Sequence, residues 1–327
     1  MYAWEEWAPS GLDLDLHVQR LDAHGNPLWG TAGTTAVNAA YNQSFPGIVS
    51  DGTGGMILVW EDGRNWATSG EDICAMRIDS TGAGVWTVNI CTAPENQLRP
   101  VVAADGAGGA IIAWADARSG QSHIYARRVT HDGTRMWGDG GIPISTDGPY
   151  QDRCTIIADG VGGAWIAWST PWRFGETIFV QRVDGGGTAL FPSNGKAVTD
   201  PNSNLPANNY DPLMASDGLG GIFMCWTSDD GAGSWGDLYG QQLGADGSVL
   251  SRYSTGFPIV TGKSAYGKVM CSDLRGGAFV AWQDARTGNS QGHLYGQHIG
   301  YGGTLDWSAG GDTLTNGAGT DATDSHA

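Results

Sequence analysis

Acidic groups and aromatic rings concentrate in short polar stretches of this sequence, among them Asp13, Asp15, Glu71, Asp152, Glu176, Asp229, Asp230 and Asp237. Two such carboxylates held roughly 5 to 9 Å apart in a cleft can hydrolyse a glycosidic bond, one as proton donor and one as base or nucleophile. The same stretches carry Trp7, Trp66, Trp172, Phe174 and Trp235, with Tyr41, Tyr150, Tyr210 and Tyr266 nearby. These nine residues are the candidate ligand-binding side chains, because a ring with a polar tip stacks on a sugar or packs on a peptide. Asp229-Asp230 with Asp237 makes calcium conceivable, although no EF-hand-type ligand series is present and no cofactor is otherwise expected.

Other chemistry finds less support. The seven histidines give no HExxH or comparable ligand spacing, and His123 and His293 share one repeat phase, which suggests a structural place. No GxSxG elbow or phosphate loop is present. The five cysteines lie far apart without CxxC spacing, mostly where other repeats carry apolar residues, so buried thiols are expected. Trp-x-Asp-x-Arg occurs as Trp60-Asp62-Arg64, Trp114-Asp116-Arg118 and Trp282-Asp284-Arg286. A pair repeated in phase is expected to hydrogen-bond the loop or to pair between blades, since a catalytic centre needs such a group once. The arginines Arg20, Arg77, Arg128 and Arg182 are read the same way.

The elements that position these residues follow from a period. Tryptophans at 4, 60, 114, 168, 226 and 282 are spaced by 56, 54, 54, 58 and 56 residues. Most are preceded by an apolar strand and an Asp-Gly-x-Gly-Gly turn, as at Asp51, Asp105, Asp159 and Asp217, with a degraded copy at Asp273. Glycine supplies the positive φ that such a hairpin turn requires. A third strand and a glycine turn follow in each copy, the turn often leading to an aromatic such as Trp29, Trp86, Trp137, Phe191 or Trp307. The second strand is continuously apolar in Met56 to Val59, Ala110 to Ala113, Ile222 to Cys225 and Ala278 to Ala281, so both of its faces are expected to be covered.

These patterns predict an all-β chain: a β-propeller of six blades, each of four antiparallel strands, with the first blade lacking its inner strand. One domain is expected over 1–327, with repeats at about 1–44, 45–98, 99–152, 153–210, 211–267 and 268–327. Asp200 to Tyr210 reads as an enlarged surface loop. The last seven residues lack the apolar run an inner strand requires, which favours a piece of a longer protein over closure by the C-terminal segment.

Charge narrows the partners. The net charge of −17, with three lysines, argues against nucleic acid and anionic membranes, and no apolar run suggests membrane insertion. A glycan or an extracellular protein remains as the expected partner.

At these motifs the chain resembles the sialidase-like, Asp-box class of bacterial β-propeller repeats, and more closely the tandem repeats of uncharacterised secreted or cell-surface proteins. The turn, Trp-x-Asp-x-Arg, the third strand and the element Asp22-Ala23-His24-Gly25-Asn26-Pro27-Leu28-Trp29 carry the resemblance. It implies a secreted or cell-surface location. The sialidase catalytic set does not carry over, because the Arg-Ile-Pro motif is absent and none of the six glutamates is recognisable as a tyrosine's partner. The sequence therefore favours a non-enzymatic binding and adhesion module with no catalytic residues, its ligand held on the aromatic loop face. The alternative is a divergent glycoside hydrolase using loop carboxylates.

Overall fold

The computed structural model describes residues 1–146, 148, 150–151, 153–172, 175–199, 208–229, 236–284, 286 and 292–315, with the side chains of 171 and 172 excluded. The chain is all-β, apart from one 3-10 turn at Gly63–Asn65. Its strands form six antiparallel sheets in chain order. They divide between two compact units, Met1–Ile166 with Arg182–Ala189, and Ala167–Gln181 with Leu190–Ala327. No helix among the described residues is long and apolar enough to cross a membrane.

Each repeat becomes one meander. The second sheet runs Gln43–Ser50, Met56–Asp62, Asp72–Ile78 and Gly84–Cys91; the third runs Gln97–Ala104, Ala110–Asp116, His123–Val129 and Ile142–Pro143. Among the described residues the first sheet has three strands, Tyr2–Trp7, Leu14–Gln19 and Thr34–Val37. The sixth adds a fifth strand, since Thr304–Leu305 and Asp312–Thr313 both pair with His293–Gly300.

The aspartates of the hairpin turns act within their own turns. Asp51 Oδ1 accepts from the N–H of Thr53 and Gly55, and Asp105, Asp159, Asp217 and Asp273 repeat this pattern. The third-strand arginines complete them: Arg77 pairs with Asp51, Arg128 with Asp105 and Arg182 with Asp159, and in the sixth sheet His298 takes the same place on Asp273. Arg20, whose sheet lacks that hairpin, instead reaches the carbonyl of Ser80.

The fourth element differs from expectation. In four sheets the stretch after the glycine turn contributes only a single bridge, such as Leu21 to Pro27 or Val129 to Arg135, and the paired strand comes later. In the first, third and fourth sheets the intervening aromatic, Trp29, Trp137 or Phe191, lies on the turn glycine of the next repeat. A Cβ at Gly82 would sit 3.0 Å from Trp29 Cγ, and one at Gly187 2.8 Å from Trp137 Cδ1. Glycine is required there for space as well as for its positive φ. The indole N–H groups of Trp29, Trp86 and Trp137 then donate to the carbonyls of Ser80, His131 and Gly185.

Burial follows the expected pattern in the inner repeats. Met56–Asp62 and Ala110–Asp116 are buried at every position. Ile57 and Val59 of the second sheet pack on Ala110, Ile112 and Trp114 of the third. Ala278–Asp284 corrects the prediction, for only alternate residues are buried and Phe279 is exposed. An apolar run shows that a strand can be covered on both faces, whereas a neighbour must be present for it to be so. The cysteines also divide: Cys74, Cys91 and Cys225 are buried, Cys154 is half-buried and Cys271 is exposed.

Candidate active site

At the loop end of the second sheet, the strand Met56–Asp62 closes with Trp60, Glu61 and Asp62. Alternation sends the two acids to opposite faces. Asp62 accepts from Trp60 Nε1 at 3.1 Å, from Arg64 Nε and Nη2 at 2.7 Å each, and from the Arg64 N–H, capping the 3-10 turn Gly63–Asn65. Burial alone would raise its carboxyl, but the Arg64 contacts outweigh this and hold it below the usual range. Asp116 and Asp284 bind their tryptophan and arginine in the same way, with Arg118 and Arg286 stacked on Tyr125 and Tyr295. The Trp-x-Asp-x-Arg motif therefore fixes loops, as its repetition implied.

Glu61 has a different environment. It is 3% exposed, and its Oε1 accepts from the N–H of Arg99 at a bulge in the next sheet's inner strand. Arg99 has φ +53° at that bulge. Burial pushes the Glu61 carboxyl up to about 7, opposed by the Arg99 N–H and charge and reinforced by the charges of Glu71 and Glu5. Near neutral pH this side chain is divided between acid and carboxylate. Glu5 occupies the same phase one repeat earlier, accepting from the N–H of Phe45 at 2.7 Å. Other repeats carry Ala115, Ser169, Thr227 and Gln283 here.

Two more acids open the next strand: Glu71, whose charge acts on Glu61, and Asp72, which lies across the strands from Asp62 on the opposite face. Burial raises the Glu71 carboxyl, and its backbone is fixed by the Asn96 side chain and the Gln97 N–H. Gly70 makes this approach possible, since a Cβ there would lie 2.6 Å from the Glu95 carbonyl. Asp72 is also raised, chiefly by burial, with Asn65 donating to Oδ2 at 2.7 Å. Its Oδ1 is buried without a hydrogen-bond partner among the described residues.

Of the nine candidate aromatics, the structure brings Tyr41 and Trp66 together. Their rings meet edge to face at 6.1 Å, and they remain 45% and 58% exposed. The N–H of Gly63 to the carbonyl of Asn42 ties their loops. Both belong to the loop end of the sheet that holds Glu61 and Glu71. Trp7, Tyr150 and Tyr266 are exposed in other repeats, and Tyr210 is half-buried. Burial, then the charges of Asp229, Asp211 and Glu176, raises the Tyr210 hydroxyl. Phe174, Trp235 and the Trp172 side chain lie outside the described residues, as do Asp152 and Asp230.

Sequence reasoning passed over Glu5 and Glu61. Their signal was available: directly after the repeated tryptophan, two repeats carry glutamate where the other four carry Ala, Ser, Thr or Gln.

No protein-family model and no curated protein matches the chain. Solved structures do match it, and they show an all-β, propeller-like fold. The polysaccharide lyase Uly1 is 10% identical, covers 91% of this chain and 76% of its own, and has a TM-score of 0.53. A puromycin hydrolase is 15% identical over 80% of this chain and 38% of its own, with a TM-score of 0.51. A thermostable family-43 glycoside hydrolase is 10% identical over 86% and 96%, with a TM-score of 0.43. The first two likenesses, with TM-scores above 0.5, show the fold alone.

The recurrence of enzymes, most of them acting on glycans, among the matching structures corrects the expectation of a non-enzymatic binding and adhesion module. A family pattern around each glutamate does not report the proton affinity of Glu61, which is set by side chains distant in sequence.

Proposed function

We propose that this protein is a glycan-processing hydrolase whose sheets are propeller blades and whose reactive centre is the loop end of the second sheet. In this reading Glu61 is the proton donor to the glycosidic oxygen and Glu71 the partner carboxylate. Tyr41 and Trp66 form the surface on which a sugar ring rests. A neutral glycan outside the cell suits the acidic surface of the chain, whose net charge is −17.

One observation carries the proposal: a buried glutamic acid raised to about 7 by burial and by the charges of Glu71 and Glu5. A general acid works best when its pKa lies near the operating pH, and paired acids with separated proton affinities are the arrangement glycoside hydrolysis uses. Asp62, fully engaged by Arg64 and Trp60, is unsuited to either role.

The test is reducing-end release from a panel of neutral polysaccharides and aryl glycosides by the intact protein. Glu61→Gln and Glu71→Gln are each expected to lower kcat/KM by about 100-fold or more, with circular dichroism unchanged. For the unsubstituted protein kcat/KM should fall as pH rises through about 7, where Glu61 loses its proton. Absence of turnover across the panel, or full activity in Glu61→Gln, refutes the assignment.

A further inference from the structure

The three lysines of the chain have unlike surroundings. Lys263 is exposed, and Lys196 donates to the carbonyl of Gly247. Lys268 is half-buried, at the bulge of the sixth sheet's inner strand Tyr266–Ser272. Register places it where the second, third and fifth sheets carry Pro46, Pro100 and Pro212, so it is a departure from the repeat.

From that bulge Lys268 Nζ donates to Thr227 Oγ1 at 2.8 Å. Thr227 follows Trp226 on the fifth sheet's strand Ile222–Asp229, in the phase that Glu61 occupies in the second sheet, and is 6% exposed. An ammonium carries three donors, yet among the described residues this one makes no second hydrogen bond and no ion pair. The two sheets meet in one apolar cluster that includes Cys225, Val280 and Trp282. Burial there lowers the proton affinity of the Lys268 amine, and the opposing effects of Cys225 and of the Asp211 charge do not restore it. At a given pH, more of this amine is neutral, with its lone pair free, than at an ordinary lysine.

We propose that Lys268 is a nucleophilic amine that captures a small aldehyde, an open-chain sugar included, as an imine. A desolvated lysine held by a neutral hydroxyl, and not by a carboxylate, is the arrangement that makes an amine a nucleophile. The nitrogen lone pair forms the new C–N bond, and the carbonyl oxygen departs as water with both amine hydrogens, so no oxidant or reductant is consumed. The imine, once protonated, carries one positive charge, which the charge of Asp211 favours as it favours the ammonium. Thr227 acts as the positioning residue for the nitrogen. The inference goes beyond the glycan-processing reading and does not rest on it, since Lys268 and Thr227 belong to the second compact unit and Glu61 to the first.

The test incubates the intact protein near pH 7 with glycolaldehyde and cyanoborohydride, which reduces an imine to a stable secondary amine, and compares the three lysines by peptide mass mapping. An ordinary lysine, with a pKa of 10.5, is neutral in about one molecule in 3,000 at that pH, and each unit of lowering gains about tenfold. Lys268 is therefore expected to be alkylated at least about tenfold faster than Lys263, with a rate that levels off at lower pH. Thr227→Asp gives the ammonium a carboxylate partner, in a phase where Glu5 and Glu61 show that an acid is accommodated, and should slow labelling of Lys268 by about tenfold or more. Labelling of Lys268 no faster than that of Lys263, one shared pH profile for the two, or an unchanged rate in Thr227→Asp overturns the inference.

Discussion

The two ends of the second sheet each bury an acid, and they treat it in opposite ways. At the hairpin end Asp51 is 1% exposed, yet its carboxyl is held low: burial would raise it, but the Thr53 N–H and hydroxyl, the Gly55 N–H and Arg77 outweigh that penalty. At the loop end Glu61 is 3% exposed and is pushed up to about 7, because one backbone N–H and the charge of Arg99 do not compensate for burial beside Glu71 and Glu5. Burial therefore does not decide a carboxyl's state alone. The number of donors converging on it does, and the repeat supplies several to every turn aspartate and few to Glu61.

The largest test of this contrast is Asp51→Ala. Removing it strands Arg77 and two turn N–H groups, so stability should fall by about 4 kcal/mol in urea unfolding, as when one partner of a buried pair is lost. A loss below about 1 kcal/mol, the range of exposed pairs, would show that the turn does not depend on its carboxylate.

The second test uses pH. Glu61 has a folded pKa above its ordinary 4.5, so its contribution is complete below that value and is lost as pH rises toward about 7. The difference of about 2.5 units corresponds to about 3 kcal/mol at most, and Glu61→Gln should remove that slope from the stability profile. Asp51 works in the opposite sense: its pKa is lowered, so its contribution is present above 3.8 and declines as pH falls below it. An unchanged slope between pH 4.5 and 7 in Glu61→Gln would remove the contrast.

The smallest effect concerns the exposed rings. Trp66→Ala should raise KM by about tenfold while leaving kcat and the melting temperature nearly unchanged, because Trp66 stands in solvent and supports no core. A large fall in melting temperature would make it a packing residue.

Much of this architecture was legible because it is repeated. Copies that share a residue share its duty, and Asp62, Asp116 and Asp284 do bind their own tryptophan and arginine. The three described strands of the first sheet were equally plain from Tyr2-Ala3-Trp4 aligning with Val59-Trp60. Departures from the repeat were harder to read. Tyr41 and Trp66 lie in different connections and meet only through the tie between Gly63 and Asn42. Phe279 belongs to a run as apolar as Ile57's, and its exposure reflects its neighbours and not its own sequence.

The sequence by itself determined the period, the antiparallel strands, the glycine turns and their carboxylate ties, since each depends on residues a few positions apart. Tertiary structure decided the proton affinity of Glu61 and which sheet face stays open. Desolvation and charge coupling are set by the distance between groups in space, and chain order does not fix that distance until the sheets have packed.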